Sequence, residues 1–350
     1  MHDYFRRLID ESPTRVWVSN PTRDEAELAI EHGAVGATTN PAYCAGLLQR
    51  APGDILPIID ACIPASDDDH VVADLVQRRV IERTADLFAP IFTASAGRAG
   101  YVAIQGAPEA DVDGEAIWEE ARAGRALGPN VAPKIPVTLP GLHAMESVVE
   151  AGWPVIVTEV FSLDQVVAAC EVYLRVTART GVRSPFFMSP ITGILGDHLK
   201  AQAVAKGLSV PAPAMELAGI GLARKCAALV EDRDYPVTLL FGGARVPEDM
   251  TALVGSRHPS TIYWSTFAEL AAASPPVART IDAPFDPDVD RLLRRTFPDV
   301  ERGWELGRLA PEEFEGFGPL QYFREIFAAG WRDVLATIAQ RRRLTRAPTR

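Results

Sequence analysis

Residues 131–162 read VAPKIPVTLPGLHAMESVVEAGWPVIVTEVFS. The stretch opens on one apolar run, Ala132–Val137, and closes on another, Val155–Thr158. Gly141–Ala151 between them carries a helical pattern. Two short apolar runs joined by an amphipathic segment indicate parallel strands with a crossover helix. The unit recurs in both directions. Strands are expected near Val16–Ser19, Gly36–Thr38, Tyr101–Gln105, Phe186–Ser189, Val237–Phe241 and Ile262–Trp264. Helices are expected over Asp24–His32, Asp69–Phe88, Ser162–Thr180 and Met215–Leu229. In the last, Leu217, Ile220, Leu222, Ala223 and Leu229 recur at helical spacing.

Eight such repeats point to an α/β fold, a (β/α)8 TIM barrel. An open doubly wound sheet is the alternative. Against it, the first strand runs into Ser19-Asn20-Pro21-Thr22 and not into a glycine-rich phosphate-binding turn. Two regions exceed a minimal barrel. Pro41–Phe88 adds extra helices between strands 2 and 3, and the chain from about Asp282 is helical and polar. Its aromatic series, Phe314, Phe317, Tyr322, Phe323, Phe327 and Trp331, reads as core contact, because aromatic rings dominate packing area. The expectation is one domain over residues 1–350, with the barrel at about 15–272 and a helical C-terminal extension at about 282–342 laid against the barrel mouth.

Hydrophobic residues make up 47% of the 350 and charged residues 23%, the composition of a soluble globular protein. A net charge of -11 without a basic stripe argues against nucleic acid as a partner. The basic tail Arg341–Arg350 reads as a solvated or frayed terminus. No apolar run approaches the roughly 20 residues that span a bilayer. Met1-His2-Asp3-Tyr4 lacks the regions of a signal peptide. Cys44, Cys62, Cys170 and Cys226 are scattered, as expected of reduced core thiols in a cytoplasmic protein. His2, His32, His70, His143, His198 and His258 form no ligand pattern, so no metal is expected. Asp67-Asp68-Asp69 with His70 reads as a helix cap. No nucleotide or flavin motif appears, so no cofactor is expected; a homo-oligomer is compatible with the sequence.

The only lysines are Lys134, Lys200, Lys206 and Lys225. The last three fall in helical stretches, where a solvated ammonium costs little. Lys134 lies inside an apolar strand run. Burial of an unpaired ammonium is costly and lowers its pKa. The neutral amine is then a nucleophile toward aldehydes and ketones. The alternative is a lysine that snorkels from the strand end or pairs with a carboxylate.

With Lys134 in place, the sequence resembles the transaldolase family of Schiff-base aldolases on a (β/α)8 barrel. The resemblance rests on Gly36-Ala37-Thr38-Thr39-Asn40-Pro41 and on Pro133-Lys134-Ile135-Pro136-Val137-Thr138 with Gly141-Leu142. It rests further on Val155–Ser162, Ser189-Pro190-Ile191-Thr192-Gly193 and Gly242-Gly243-Ala244-Arg245. These occur in family order between about Arg15 and Leu270. The resemblance implies transfer or cleavage of a carbon–carbon bond in carbohydrate metabolism of the pentose phosphate type. It implies a small carbonyl or sugar substrate, no cofactor and no metal. Lys134 matches the lysine that attacks the carbonyl, and Thr158 the threonine that helps hold a catalytic water. Thr39 and Asn40 match the substrate end of the pocket, Ser189 a contact to substrate hydroxyls, and Arg245 a phosphate-binding residue.

Several positions depart from the family pattern. Ser19 stands for the acid/base aspartate of the first strand, and Gln105 for the glutamate of the third. Ile194 stands for a second phosphate-binding arginine, and Gly243 for a serine near Arg245. Serine and glutamine orient water but take no proton near neutral pH. Two substitutes are at hand. Glu159 adjoins Thr158, but strand alternation points it away from the lumen. His143 reads as a surface residue. Two functions therefore follow: an active Schiff-base enzyme with an altered substrate, such as an unphosphorylated or differently substituted hydroxy-ketone, or a catalytically degenerate barrel that binds a metabolite or a protein.

Overall fold

In a computed structural model, which describes residues 3–346, the chain forms nine strands in one all-parallel sheet. They are β1 (Val16–Ser19), β2 (Gly36–Thr38), β3 (Tyr101–Ile104), β4 (Val131–Pro136), β5 (Val155–Val160), β6 (Phe186–Pro190), β7 (Thr238–Leu239), β8 (Phe241–Ala244) and β9 (Ser260–Tyr263). The order β7-β6-β5-β4-β3-β2-β1-β9-β8 closes on itself, because β7 and β8 are two halves of one strand. β7 pairs with β6 through Phe187↔Thr238 and Met188↔Leu239. β8 pairs with β9 through Phe241↔Ser260. Leu240 sits at the break, its N–H donating to Met188 O at 2.7 Å. The expected single strand Val237–Phe241 is thus broken, and its second half continues through Gly242–Ala244. The result is the eight-fold barrel that the repeats imply.

The alternation of each strand divides its side chains between lumen and helix layer. Trp17, Tyr101, Ala103, Ala132, Ile156, Phe187 and Leu240 form one cluster inside the ring. A side chain at Gly36 would run into the Trp17 indole, with Cβ only 2.6 Å away. Val16, Val18, Val102, Val131, Val155, Val157 and Met188 face outward into two larger cores against the helices. Both strand faces are buried, which is why the strands read as unbroken apolar runs.

The helices follow the expected order, with Arg23–Glu31, Leu139–Glu150, Leu163–Thr180, Thr192–Lys206 and Ala212–Asp232 as crossovers. Extra helices Tyr43–Arg50 and Pro52–Cys62 precede Asp69–Ala94, which runs past the expected end at Phe88. Asp68 caps it by accepting from His70 N–H at 2.8 Å. A helix that the sequence reading did not anticipate, Asp3–Glu11, buries Tyr4, Phe5 and Leu8 and stacks Phe5 on Phe267. The four cysteines are free and buried. Among the described residues, no helix is long and apolar enough to cross a membrane.

The C-terminal extension contains helices Pro287–Thr296, Pro298–Trp304 and Gly318–Arg346. The last crosses the barrel mouth, burying Phe323, Phe327 and Trp331. The reading of Arg341–Arg350 as a frayed end is corrected for its first part. Arg341 pairs with Asp60, and Arg342 is buried against Asp69 at 2.7 Å. Carboxylates on the extra helices hold this end of the helix down. Residues 347–350 lie outside the described part, as do Met1 and His2.

Candidate active site

The C-terminal ends of the strands surround a narrow mouth cavity. Ser19 reaches it from β1, Thr38 from β2, Thr39 and Asn40 from the turn after β2, Lys134 from β4, and Ser189 from β6. Tyr263, Ile191 and Ile194 line it further, and Phe323 and Phe327 cover it from the C-terminal helix. Those two aromatics therefore serve as core contacts and as cavity wall.

Lys134 follows Ala132 by two residues, so it shares the lumen face of β4. It is 9% exposed. Its Nζ donates to Thr39 O at 3.4 Å. Thr39 is itself fixed, its hydroxyl donating to Ala103 O at 2.7 Å. Burial lowers the Lys134 pKa to about 8, and the negative fields of Glu159 and Asp111 limit the fall. Roughly one amine in ten is then neutral at pH 7. Lys200 and Lys206 lie on the helix Thr192–Lys206, and Lys225 on Ala212–Asp232.

The other candidates divide into two groups. Asn40 Oδ1 accepts from Ala42 N–H at 3.1 Å, which orients the amide beside the cavity. Ser19 and Ser189 present buried hydroxyls. Gln105 and Thr158 are buried, with Gln105 Oε1 and Thr158 Oγ1 lacking partners among the described residues. Arg245 stands apart from the cavity lining. Its side chain is 42% exposed, pairs with Asp197 at 3.3 Å and lies over the Tyr263 ring. His143 is exposed, as expected.

Glu159 departs from expectation. Alternation would send it outward, but its φ is 61° and the β5–β6 register shifts between Val157 and Val160. A left-handed glutamate breaks the two-residue period locally. Its carboxylate is fully buried and accepts from Gln105 Nε2 at 3.0 Å. Arg324 Nε of the C-terminal helix approaches at 3.4 Å. The Asp111 carboxyl, from the segment after β3, shares a hydrogen bond with it. Burial raises the pKa of Glu159 against the opposing pull of Arg324. Burial and then the Glu159 charge raise Asp111 well above the carboxylate range. Sequence reasoning missed Asp111 and Arg324 entirely. The one available signal was a charged residue, Glu159, inside an apolar strand run.

A ring of parallel strands with a desolvated lysine at their C-terminal ends defines a (β/α)8 barrel whose candidate site occupies the face where such barrels carry chemistry. The chain belongs to the Transaldolase/Fructose-6-phosphate aldolase family, whose sequence pattern matches residues 16–297. It is similar to Transaldolase 1 of Streptomyces coelicolor, 27% identical over 96% of this chain and 94% of the relative. It is similar also to the transaldolase of Arthrobacter sp., 24% identical over 94% of this chain and 95% of the relative. Transaldolase 1 of Streptomyces avermitilis is 31% identical over 48% of this chain, and the match spans 46% of that relative, about half its length.

Proposed function

We propose that the protein is a transaldolase-like Schiff-base enzyme that makes, breaks or transfers a carbon–carbon bond of a hydroxy-ketone or sugar-derived substrate through Lys134. The observation that carries this reading is the buried Lys134 amine at the mouth cavity, with its pKa lowered to about 8. A neutral amine adds to a ketone, and the resulting iminium draws electrons from the neighbouring carbon–carbon bond. Ser19, Thr38, Asn40 and Ser189 offer hydroxyl and amide partners that suit a polyol. Thr158 and Gln105, with free buried oxygens, suit a held water. The buried free thiols fit a reducing compartment such as the cytoplasm.

The test is borohydride reduction in the presence of dihydroxyacetone, erythrulose or fructose, followed by peptide mass spectrometry. An adduct on Lys134 is expected, absent from Lys134→Ala. An adduct that persists in the variant rejects the site. A sugar that raises the melting temperature without any adduct favours a binding barrel instead.

The cavity end near β6 is lined by Ile191, Ile194, Phe323 and Phe327, while the nearby cation Arg245 is occupied by Asp197. An unphosphorylated substrate suits this lining. Ile194→Arg should improve trapping of a phosphorylated ketose relative to the free sugar. Charge-assisted hydrogen bonds of about 1.5–3 kcal/mol correspond to roughly tenfold to a hundredfold. An unchanged preference would count against this assignment of the phosphate end.

A further inference from the structure

Resting on the Schiff-base reading, we propose that Glu159 and Asp111, rather than Ser19 or Gln105, carry the proton for chemistry at Lys134. Ser19 and Gln105 cannot exchange a proton near neutral pH. Glu159 and Asp111 are both buried and lie side by side, so they do not both ionise readily and hold one proton between them. Arg324 balances the remaining charge. A glutamate at φ 61° within a strand is an uncommon conformation, of the kind that collects at functional sites. The bend it makes turns the carboxylate toward Gln105, the residue that follows β3.

The arrangement also leaves room for the atom that receives the proton. Glu159 Oε2, Gln105 Oε1 and Thr158 Oγ1 are buried and lack hydrogen bonds among the described residues. Such atoms normally find a water or a ligand hydroxyl. Glu159 Oε2 faces Arg324 at 3.4 Å, but a purely structural ion pair gives no reason for the unpartnered oxygens on Gln105 and Thr158. A second, narrow cavity touches Lys134 and is lined by Asp74, Arg78, Asp111 and Glu120. It offers a polar path for the proton between the buried pair and solvent.

The Lys134 nitrogen lone pair attacks the carbonyl carbon, and the carbonyl π pair moves to oxygen, which takes the proton released by nitrogen. The carbon–oxygen bond of this carbinolamine then breaks as the nitrogen lone pair forms the iminium. The hydroxyl leaves as water with the proton handed over by Glu159, while Asp111 supplies it within the pair. Hydrolysis of the iminium returns that proton. The charged groups facing Glu159 are Arg324 from the C-terminal helix, Asp111 from the segment after β3 and Lys134 from β4; Asp111 also feels Glu120.

The experiment is timed borohydride quenching with dihydroxyacetone across pH 5–10, read as adduct on Lys134. The rate in the native protein should rise as the lysine loses its proton and fall once the carboxyl pair loses its own. Glu159→Gln should form the same adduct about a hundredfold or more slowly and lack the alkaline fall. Asp111→Asn, which leaves one carboxyl beside Arg324, should move that fall to lower pH. Native rates and an unmoved profile in a folded Glu159→Gln protein would overturn the proton assignment alone. If that variant does not fold, an unshifted profile in Asp111→Asn overturns it. Absence of any adduct in the native protein would instead overturn the Schiff-base reading, and the proton assignment with it.

Discussion

At Lys134, burial shifts the amine from an ordinary pKa of 10.5 to about 8. The unfolded chain therefore binds more protons than the folded one between those values, and stability rises with pH across that window. Below pH 8 the full cost is present, about 3.5 kcal/mol at roughly 1.4 kcal/mol per pKa unit. Lys134→Met should remove it, giving a protein about 3.5 kcal/mol more stable at pH 7 and little different near pH 10.5. Urea unfolding at the two pH values checks this; a variant no more stable at pH 7 would show that the amine is solvated. That this lysine lies in an apolar strand run was legible from its neighbours; that it stays buried there and does not snorkel to solvent was decided by the fold. The role of Glu159 was not legible. A strand period assigns sides only while φ and ψ remain extended, and one left-handed residue reverses the assignment.

The helix Gly318–Arg346 spans from the extra helices to the barrel mouth, and its far end is held by arginines of unequal burial. Arg342 is buried and donates to Asp69 Oδ1 at 2.7 Å and to Ser66 O at 2.8 Å. Arg341 pairs with Asp60 from a side chain about one-third exposed, at 32%. Arg342→Ala should cost about 1.5–3 kcal/mol, since it removes a buried charged donor from the partly buried acceptors Asp69 and Ser66. Arg341→Ala should cost under about 1 kcal/mol, as solvated pairs do. Equal losses in urea unfolding would contradict the burial difference. Most elements were readable from period and capping residues. The helix Asp3–Glu11 was overlooked, because its small apolar face, Tyr4, Phe5 and Leu8, gains meaning only once Phe267 lies opposite. The break at Leu240 was equally hidden, since the sequence is apolar on both sides of it.

Across the whole molecule, eight repeats of strand and helix with both strand faces apolar leave few arrangements besides a closed parallel ring. The ring gathers Ser19, Asn40, Lys134 and Ser189 from β1, the turn after β2, β4 and β6 around one cavity. Their spacing along the chain carries no trace of that meeting. Fold class, strand positions and the unusual lysine were determined by local pattern, because hydrophobic period and desolvation act on neighbours in sequence. Which carboxylates reach that lysine, and which helix covers it, were decided only by tertiary structure. Glu159, Asp111 and Arg324 come from separate segments, and the fields that set their charges depend on distance in space, not on separation along the chain.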